Sequence, residues 1–235
     1  MNLNNNIERV GKGQKKIAIV SLVHGDEIEG LEISRKVRKR IDGREIFSLY
    51  FIKANYRAYQ ERKRFIDKDL NRVFPGNKEG CYEERLAYDL VKILQQMDLV
   101  IDLHSTKAKS DPFFILTRKD ESLLNLISGR GINKVCLMNS DVANGKALID
   151  FCRGFSLEIP EGSKIDRIVD FIISLLGCHL EVFSVYRIIN KNILFAENFK
   201  ELSLFEETFY PVLFGEDDYE FTCLAAKKGI YYGWW

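Results

Sequence analysis

Short apolar runs and helical stripes alternate along most of this chain. Lys16–Val23 (KIAIVSLV) is an apolar run ending at His24-Gly25, and in Glu29–Ile41 the residues Leu31, Ser34, Val37 and Ile41 recur at helical spacing. The pattern predicts a strand, a tight turn and a helix. Glu45–Lys53 reads as a second strand. A polar, arginine-rich stretch then runs from Asn55 to Gly80 with the breaker pair Pro75-Gly76, a long loop of the kind that carries function. From Tyr82 to Met97, Leu86, Leu90, Ile93 and Met97 form one apolar face of a helix, and Leu99–His104 follows as a buried strand. Further strands are expected at Pro112–Thr117, Lys134–Met138 and Gly154–Ile159. Glu121–Ser128 reads as a helix, and so does Ser163–Leu176, with Ser163 as its N-cap and Ile165, Ile168, Val169, Ile172 and Leu176 facing inward. Alternating strands and helices give an α/β class: a mixed, largely parallel sheet flanked by helices in three layers.

After His179 the texture changes. Leu180–Ile189, Glu206–Leu213, Tyr219–Leu224 and Ile230–Trp235 are rich in aromatic and β-branched residues with little helical period. The expected division is therefore a catalytic domain over 1–179 and a small β-rich portion over 180–235 packed on it.

Composition narrows the function classes. The 235 residues are 46% apolar, enough for a buried core, and 35 Lys+Arg against 34 Asp+Glu give a net charge of +1. No nucleic-acid or membrane partner is expected from that balance. The basic run Arg35-Lys36-Val37-Arg38-Lys39-Arg40 could bind phosphate, but a solvated helix face is the better account. The N-terminus has no apolar segment behind it, and no apolar run reaches the roughly 18 residues of a bilayer span, so a soluble, cytoplasmic protein is expected. The five cysteines, Cys81, Cys136, Cys152, Cys178 and Cys223, fit neither a disulfide framework nor a C-x-x-C metal site and read as reduced packing residues.

His24, Glu27 and His104 supply two imidazoles and a carboxylate, the ligand set of a catalytic zinc site with an open fourth position. Both histidines fall at the ends of predicted strands, where open α/β sheets collect function. A histidine beside a turn is otherwise an ordinary hydrogen-bonded residue. Alternation puts Asp102 on the side of His104, either as the acceptor for a ligating imidazole or as a carboxylate capping backbone groups. Arg64-Phe-Ile-Asp-Lys-Asp69-Leu-Asn71-Arg72 offers guanidinium and amide groups able to clamp a carboxylate; its bland alternative is a salt-bridged surface loop.

Taken in order, His24-Gly-Asp-Glu27, Arg64, Asp69-Leu-Asn71-Arg72, Asp102-Leu-His104-Ser-Thr and Leu157-Glu158 resemble the succinylglutamate desuccinylase/aspartoacylase group of the zinc carboxypeptidase superfamily. The resemblance covers about residues 16–178, and Tyr210-Pro-Val-Leu-Phe-Gly-Glu216-Asp-Asp-Tyr219 is similar to the family's C-terminal motif. It implies one Zn2+ per chain held by His24, Glu27 and His104. It further implies Glu158 as general base, Arg64 as the group polarising the scissile carbonyl, and Asn71, Arg72 and Tyr219 as contacts to a substrate carboxylate. The implied activity is hydrolysis of an amide in a small carboxylate-bearing molecule, an N-acyl amino acid deacylase. The alternative is a metallocarboxypeptidase releasing a C-terminal residue from a short peptide, and homo-oligomer formation is left open.

Two departures qualify the resemblance. Glu161 competes with Glu158 for the role of base, and Glu158 is preferred because it ends the apolar strand. The family's acylases carry an arginine upstream of that glutamate for an acidic substrate side chain; the corresponding position here is Leu148, with Arg153 close but out of register.

Overall fold

A computed structural model describes residues 3–41, 47–138 and 145–175, together with the backbone of four later strands. Eleven strands form one mixed sheet in the order β1-β3-β2-β4-β7-β5-β6-β8-β11-β10-β9. These are β1 (Ile7–Val10), β2 (Lys15–Ser21), β3 (Phe47–Lys53), β4 (Leu99–Thr106), β5 (Phe113–Leu116), β6 (Lys134–Leu137), β7 (Gly154–Pro160), β8 (Phe183–Lys191), β9 (Leu202–Leu204), β10 (Glu207–Val212) and β11 (Leu224–Tyr231). The helices are α1 (Ile28–Arg40), α2 (Tyr56–Gln60), α3 (Tyr82–Leu94), α4 (Glu121–Ile127) and α5 (Ile165–Leu175).

Around the candidate ligands the sheet is parallel: β3 pairs β2, β2 pairs β4, and β4 pairs β7, all in one direction. Such strands are buried on both faces. Ile17 and Ile19 of β2, Ile101 and Leu103 of β4, and Phe155 and Leu157 of β7 enter one apolar layer with Ile33 and Val37 of α1 and Ile168, Val169 and Ile172 of α5. Ala18 and Val20, with Val100, enter the opposite layer against Leu86, Ala87, Leu90 and Leu94 of α3. The period of two leaves Asp102 and His104 of β4 and Ser156 and Glu158 of β7 on this second face.

Helix α1 connects β2 to β3 across one face, and α3 connects β3 to β4 across the other. The chain thus departs in opposite senses from β2, and the crevice beyond the carboxyl ends of β2 and β4 is a topological switch point, where α/β sheets bind ligands.

The elements expected up to residue 175, and the β-rich segments at Leu180–Ile189 and Glu206–Leu213, fall at their expected places with ends shifted by a few residues; the segments expected at Tyr219–Leu224 and Ile230–Trp235 lie mostly outside the described residues. Ser163 does not cap α5: its hydroxyl donates to the Pro160 carbonyl at 2.6 Å, closing the turn after β7. The expected loop between Asn55 and Gly80 contains α2, capped by the Asn55 side chain, and a 3-10 turn at Leu70–Arg72. Strand β11 crosses Ala225-Ala-Lys-Lys-Gly229, which propensity disfavours, because β8 and β10 flank it on both sides. The basic face of α1 is salt-bridged: Arg38 to Glu8, Lys36 to Glu32 and Asp166, and Arg40 to Asp170. Cys81, Cys136 and Cys152 are unbridged, and burial pushes the Cys152 thiol up to about 12; Cys178 and Cys223 lie outside the described residues. Among the described residues no helix is long and apolar enough to cross a membrane.

Candidate active site

Strand β2 ends at Ser21, and Leu22 then takes φ 61°, a left-handed conformation costing a non-glycine residue about 1–2 kcal/mol. It is held there by the Asn55 N–H, which donates to the Leu22 carbonyl at 2.7 Å. This sharp exit delivers His24 to the crevice. Gly25 follows because a Cβ there would sit 2.4 Å from the Lys63 carbonyl oxygen and the Tyr59 nitrogen; its own N–H donates to the Arg64 carbonyl at 2.8 Å. The His24 turn and the Arg64 loop are thereby locked together.

Glu27, just before α1, lies between the two histidines. Its Oε1 is 2.7 Å from His24 Nδ1 and its Oε2 3.0 Å from His104 Nδ1, and the Ser105 N–H donates to Oε2 at 3.1 Å. All three side chains are buried, and one ligand atom from each lies within 4.8 Å of the others. The far ring nitrogens also have acidic neighbours: His104 Nε2 is 2.8 Å from Asp102 Oδ2, and His24 Nε2 is 3.0 Å from Asp69 Oδ1. Each imidazole therefore turns Nδ1 to the shared centre and Nε2 to a carboxylate that fixes its orientation. Of the two roles open to Asp102, the contact with His104 is the one found, and its Oδ2 also receives the Ser156 hydroxyl at 3.0 Å.

Burial disfavours every charge in this cluster, yet attraction within it prevails. Glu27 and Asp69 hold the His24 imidazole above its ordinary value, and Asp102 and Glu27 hold His104 well above it. Against its own burial, Glu27 is held well below the usual carboxylate range by the two histidines. Burial alone would raise Asp69, but its contact with His24 brings it to about 2. Three carboxylates around two imidazoles make a pocket that favours positive charge, supplied by protons or by a cation that displaces them. Two nitrogens and a carboxylate oxygen suit a divalent ion of the zinc type, so the residues fit the implied metal.

The remaining expected residues are placed as follows. Arg64 lies at the edge of the trio, with Nη1 donating to Glu27 Oε1 at 3.0 Å and Nη2 3.3 Å from His24 Nε2. Glu158 is half-buried on β7 and pairs in register with His104, so both project from the same face on neighbouring strands. Glu161 is exposed beyond the end of that strand. Asn71 and Arg72 are half-buried on the 3-10 turn, which Asp69 caps by accepting the Asn71 N–H at 2.7 Å. The Leu148 N–H donates to Asn71 Oδ1 at 2.8 Å, and since a backbone N–H can only donate, this contact fixes which end of the Asn71 amide is the oxygen. Tyr219 lies outside the described residues.

Leu148 itself is 1% exposed and offers no cation. Arg153 cannot stand in for one. It immediately precedes β7, at the opposite end of the strand from Glu158, where its guanidinium donates to the Asp98 carbonyl and the Ser122 hydroxyl.

Sequence reasoning missed Glu83 and Asn55, both fully buried and hydrogen-bonded beneath the Arg64 loop. A signal for Glu83 existed: it shares the helical stripe of Ala87, Leu90 and Leu94, an acid on the face that packs inward.

The profile of the succinylglutamate desuccinylase/aspartoacylase catalytic domain matches residues 13–151. A probable aspartoacylase from a Nostoc species is 30% identical over 211 residues, 84% of this chain and 63% of that protein. An N-acyl-aromatic-L-amino acid amidohydrolase (carboxylate-forming) from Danio rerio is 32% identical over 107 residues, 38% of this chain and 33% of that protein. The chain thus spans less than two thirds of these curated relatives. Among solved structures, murine aminoacylase 3 superposes with a TM-score of 0.76 at 20% identity, covering 94% of this chain and 98% of that one. Succinylglutamate desuccinylase from Chromobacterium violaceum gives 0.72 at 18% identity, covering 95% and 88%.

Proposed function

We propose that this chain, which belongs to the succinylglutamate desuccinylase/aspartoacylase family, is a zinc-dependent amidohydrolase that removes the acyl group from a small N-acyl amino acid. The observation carrying this reading is the convergence of His24, Glu27 and His104 donor atoms within 4.8 Å, buried at the switch point of the sheet. Held by those three residues, zinc would supply Lewis acidity and activation of water near neutral pH.

The chain's own groups supply the rest. Glu158, beside His104, takes the proton of the attacking water and returns it to the leaving amine nitrogen. The Arg64 guanidinium, at the rim of the trio, stabilises negative charge developing on the carbonyl oxygen. Asn71, oriented by Leu148, and Arg72 bind the substrate carboxylate through their N–H groups. Tyr219 belongs to the same carboxylate contacts by resemblance. An apolar Leu148 leaves that part of the site without a charge for an aspartate- or glutamate-type side chain.

The test is metal content followed by a substrate panel. One zinc per chain and amine release from N-acetyl or N-succinyl amino acids are expected, with little cleavage of dipeptides. Cleavage of dipeptides alone would replace the deacylase by a carboxypeptidase using the same groups. Purified protein that takes no zinc and hydrolyses neither class would refute the reading.

A further inference from the structure

Glu83 touches neither the trio nor Arg72, yet it is a wholly buried acid in the first turn of α3. Its two oxygens accept four hydrogen bonds. Oε1 takes the Ile66 N–H at 2.7 Å and the Asn55 Nδ2 group at 3.0 Å; Oε2 takes the Asp67 N–H at 2.9 Å and the Lys68 N–H at 3.1 Å. Three successive backbone amides of the loop between Arg64 and Asp69 thus close on one carboxylate. The loop answers in kind: Asp67 Oδ2 accepts the Tyr82 N–H, the first of α3, at 2.9 Å.

The clasp is continuous with the site. Asn55, which donates to Glu83, also gives its backbone N–H to the Leu22 carbonyl in the turn before His24, and Gly25, the residue after His24, gives its own N–H to the Arg64 carbonyl. Asp67, Cys81 and Glu83 offer donor atoms within 4.8 Å of one another, a second arrangement with the appearance of a cation site. Their oxygens already face N–H groups, so they bind the loop rather than an ion. An apolar residue at 83 would suit the inward stripe of α3; it would take from the three part-buried amides the acceptor they share.

We propose that Glu83 is a positioning residue for the catalytic edge of this site: by gathering the N–H groups of Ile66, Asp67 and Lys68, it fixes where Arg64 and Asp69 meet Glu27 and His24. Arg64 precedes the gathered segment and Asp69 follows it, so both side chains inherit its position. A displacement near 1 Å at such groups costs on the order of a hundredfold in rate. Misorienting a histidine ligand costs about ten- to a hundredfold in metal affinity.

The role rests on the zinc hydrolase reading for its kinetic arm, while the metal arm can be read without turnover. In Glu83→Gln, one acceptor oxygen becomes a donor facing two N–H groups. Zinc affinity, read by competition with a chromophoric chelator, should fall about tenfold. On the folded fraction kcat should fall at least about tenfold, with KM changing less than about threefold. Glu83→Asp keeps the carboxylate one methylene short and should lie between; if the glutamine variant does not fold, the aspartate variant is read in its place. Lys68→Ala breaks only the exposed pair with Glu84 and should leave both readouts unchanged. A folded Glu83 variant with lower Tm but wild-type zinc affinity and kcat would overturn the proposal, as would a change in KM alone. Wild-type protein that takes zinc but hydrolyses nothing refutes the functional reading, and zinc affinity still decides Glu83. Wild-type protein that takes no zinc refutes both.

Discussion

The two candidate histidine ligands reach the same carboxylate from unlike supports. His104 stands on β4, between β2 and β7, with Asp102 two residues before it on the same face; the parallel ladder fixes its position, and its partner pair is 1–5% exposed. His24 stands on a turn after a left-handed leucine, and its Asp69 partner, 18% exposed, comes from a loop held by Asn55 and Glu83. The sheet makes one half of the site rigid through backbone pairing. Side-chain-to-backbone bonds have to do the same for the other half. The difference predicts that equivalent changes cost more on the strand side.

The largest effect removes the strand-borne ligand. His104→Ala should abolish zinc retention through dialysis and amide hydrolysis together; retained stoichiometric zinc would break the assignment of the trio. Next comes Glu158→Gln, on the neighbouring strand, which should keep zinc and lose turnover by about 10²–10⁴-fold. Near-normal activity would move the base to another residue. The comparison is sharpened by the two acidic partners. Asp102→Asn should lower zinc affinity nearer a hundredfold and Asp69→Asn nearer tenfold, because the buried pair lacks solvent to replace the lost charge. Equal losses, measured by the same chelator competition, would show that the loop holds its histidine as firmly as the ladder holds the other.

The same division decides what was legible in the sequence. Strand β4 announces itself as Leu99-Val-Ile-Asp-Leu-His104, and alternation alone placed Asp102 with His104. Along β7 the period of two separates Phe155, Leu157 and Ile159 from Ser156 and Glu158. The loop half has no period. Its shape depends on pairings distant in sequence, such as Glu83 with Ile66 and Asn71 with Leu148, and single-residue propensities cannot anticipate these. Its length and its guanidinium and amide groups pointed to the loop, but the separate roles of Arg64, Asn71 and Arg72 came only through family resemblance. The Ser163 cap failed for a related reason: its hydroxyl found a carbonyl three residues back, a local competition that the letters leave undecided.

Neighbouring acids on α3 offer the finest test of the loop half. Glu83 faces inward, while Glu84 is on the solvent side, accepting the Cys81 N–H at 2.8 Å and pairing with Lys68 at 2.9 Å. Those two contacts, Lys68 first, bring the Glu84 carboxyl from 4.5 to about 2. A carboxyl lowered on folding stabilises the fold fully above its unfolded value, and that contribution disappears as pH falls from about 4.5 through about 2. Glu84→Gln keeps an acceptor for Cys81 and loses the charge opposite Lys68. Its Tm at pH 7 should lie at most about 2 °C below wild type, the gap shrinking in high salt and closing as pH falls toward 2. Zinc affinity should not change, because Lys68 reaches Glu84 through its side chain while its backbone N–H stays on Glu83. A loss of zinc affinity matching that of Glu83→Gln would assign the loop's position to the whole first turn of α3 instead of the single buried acid.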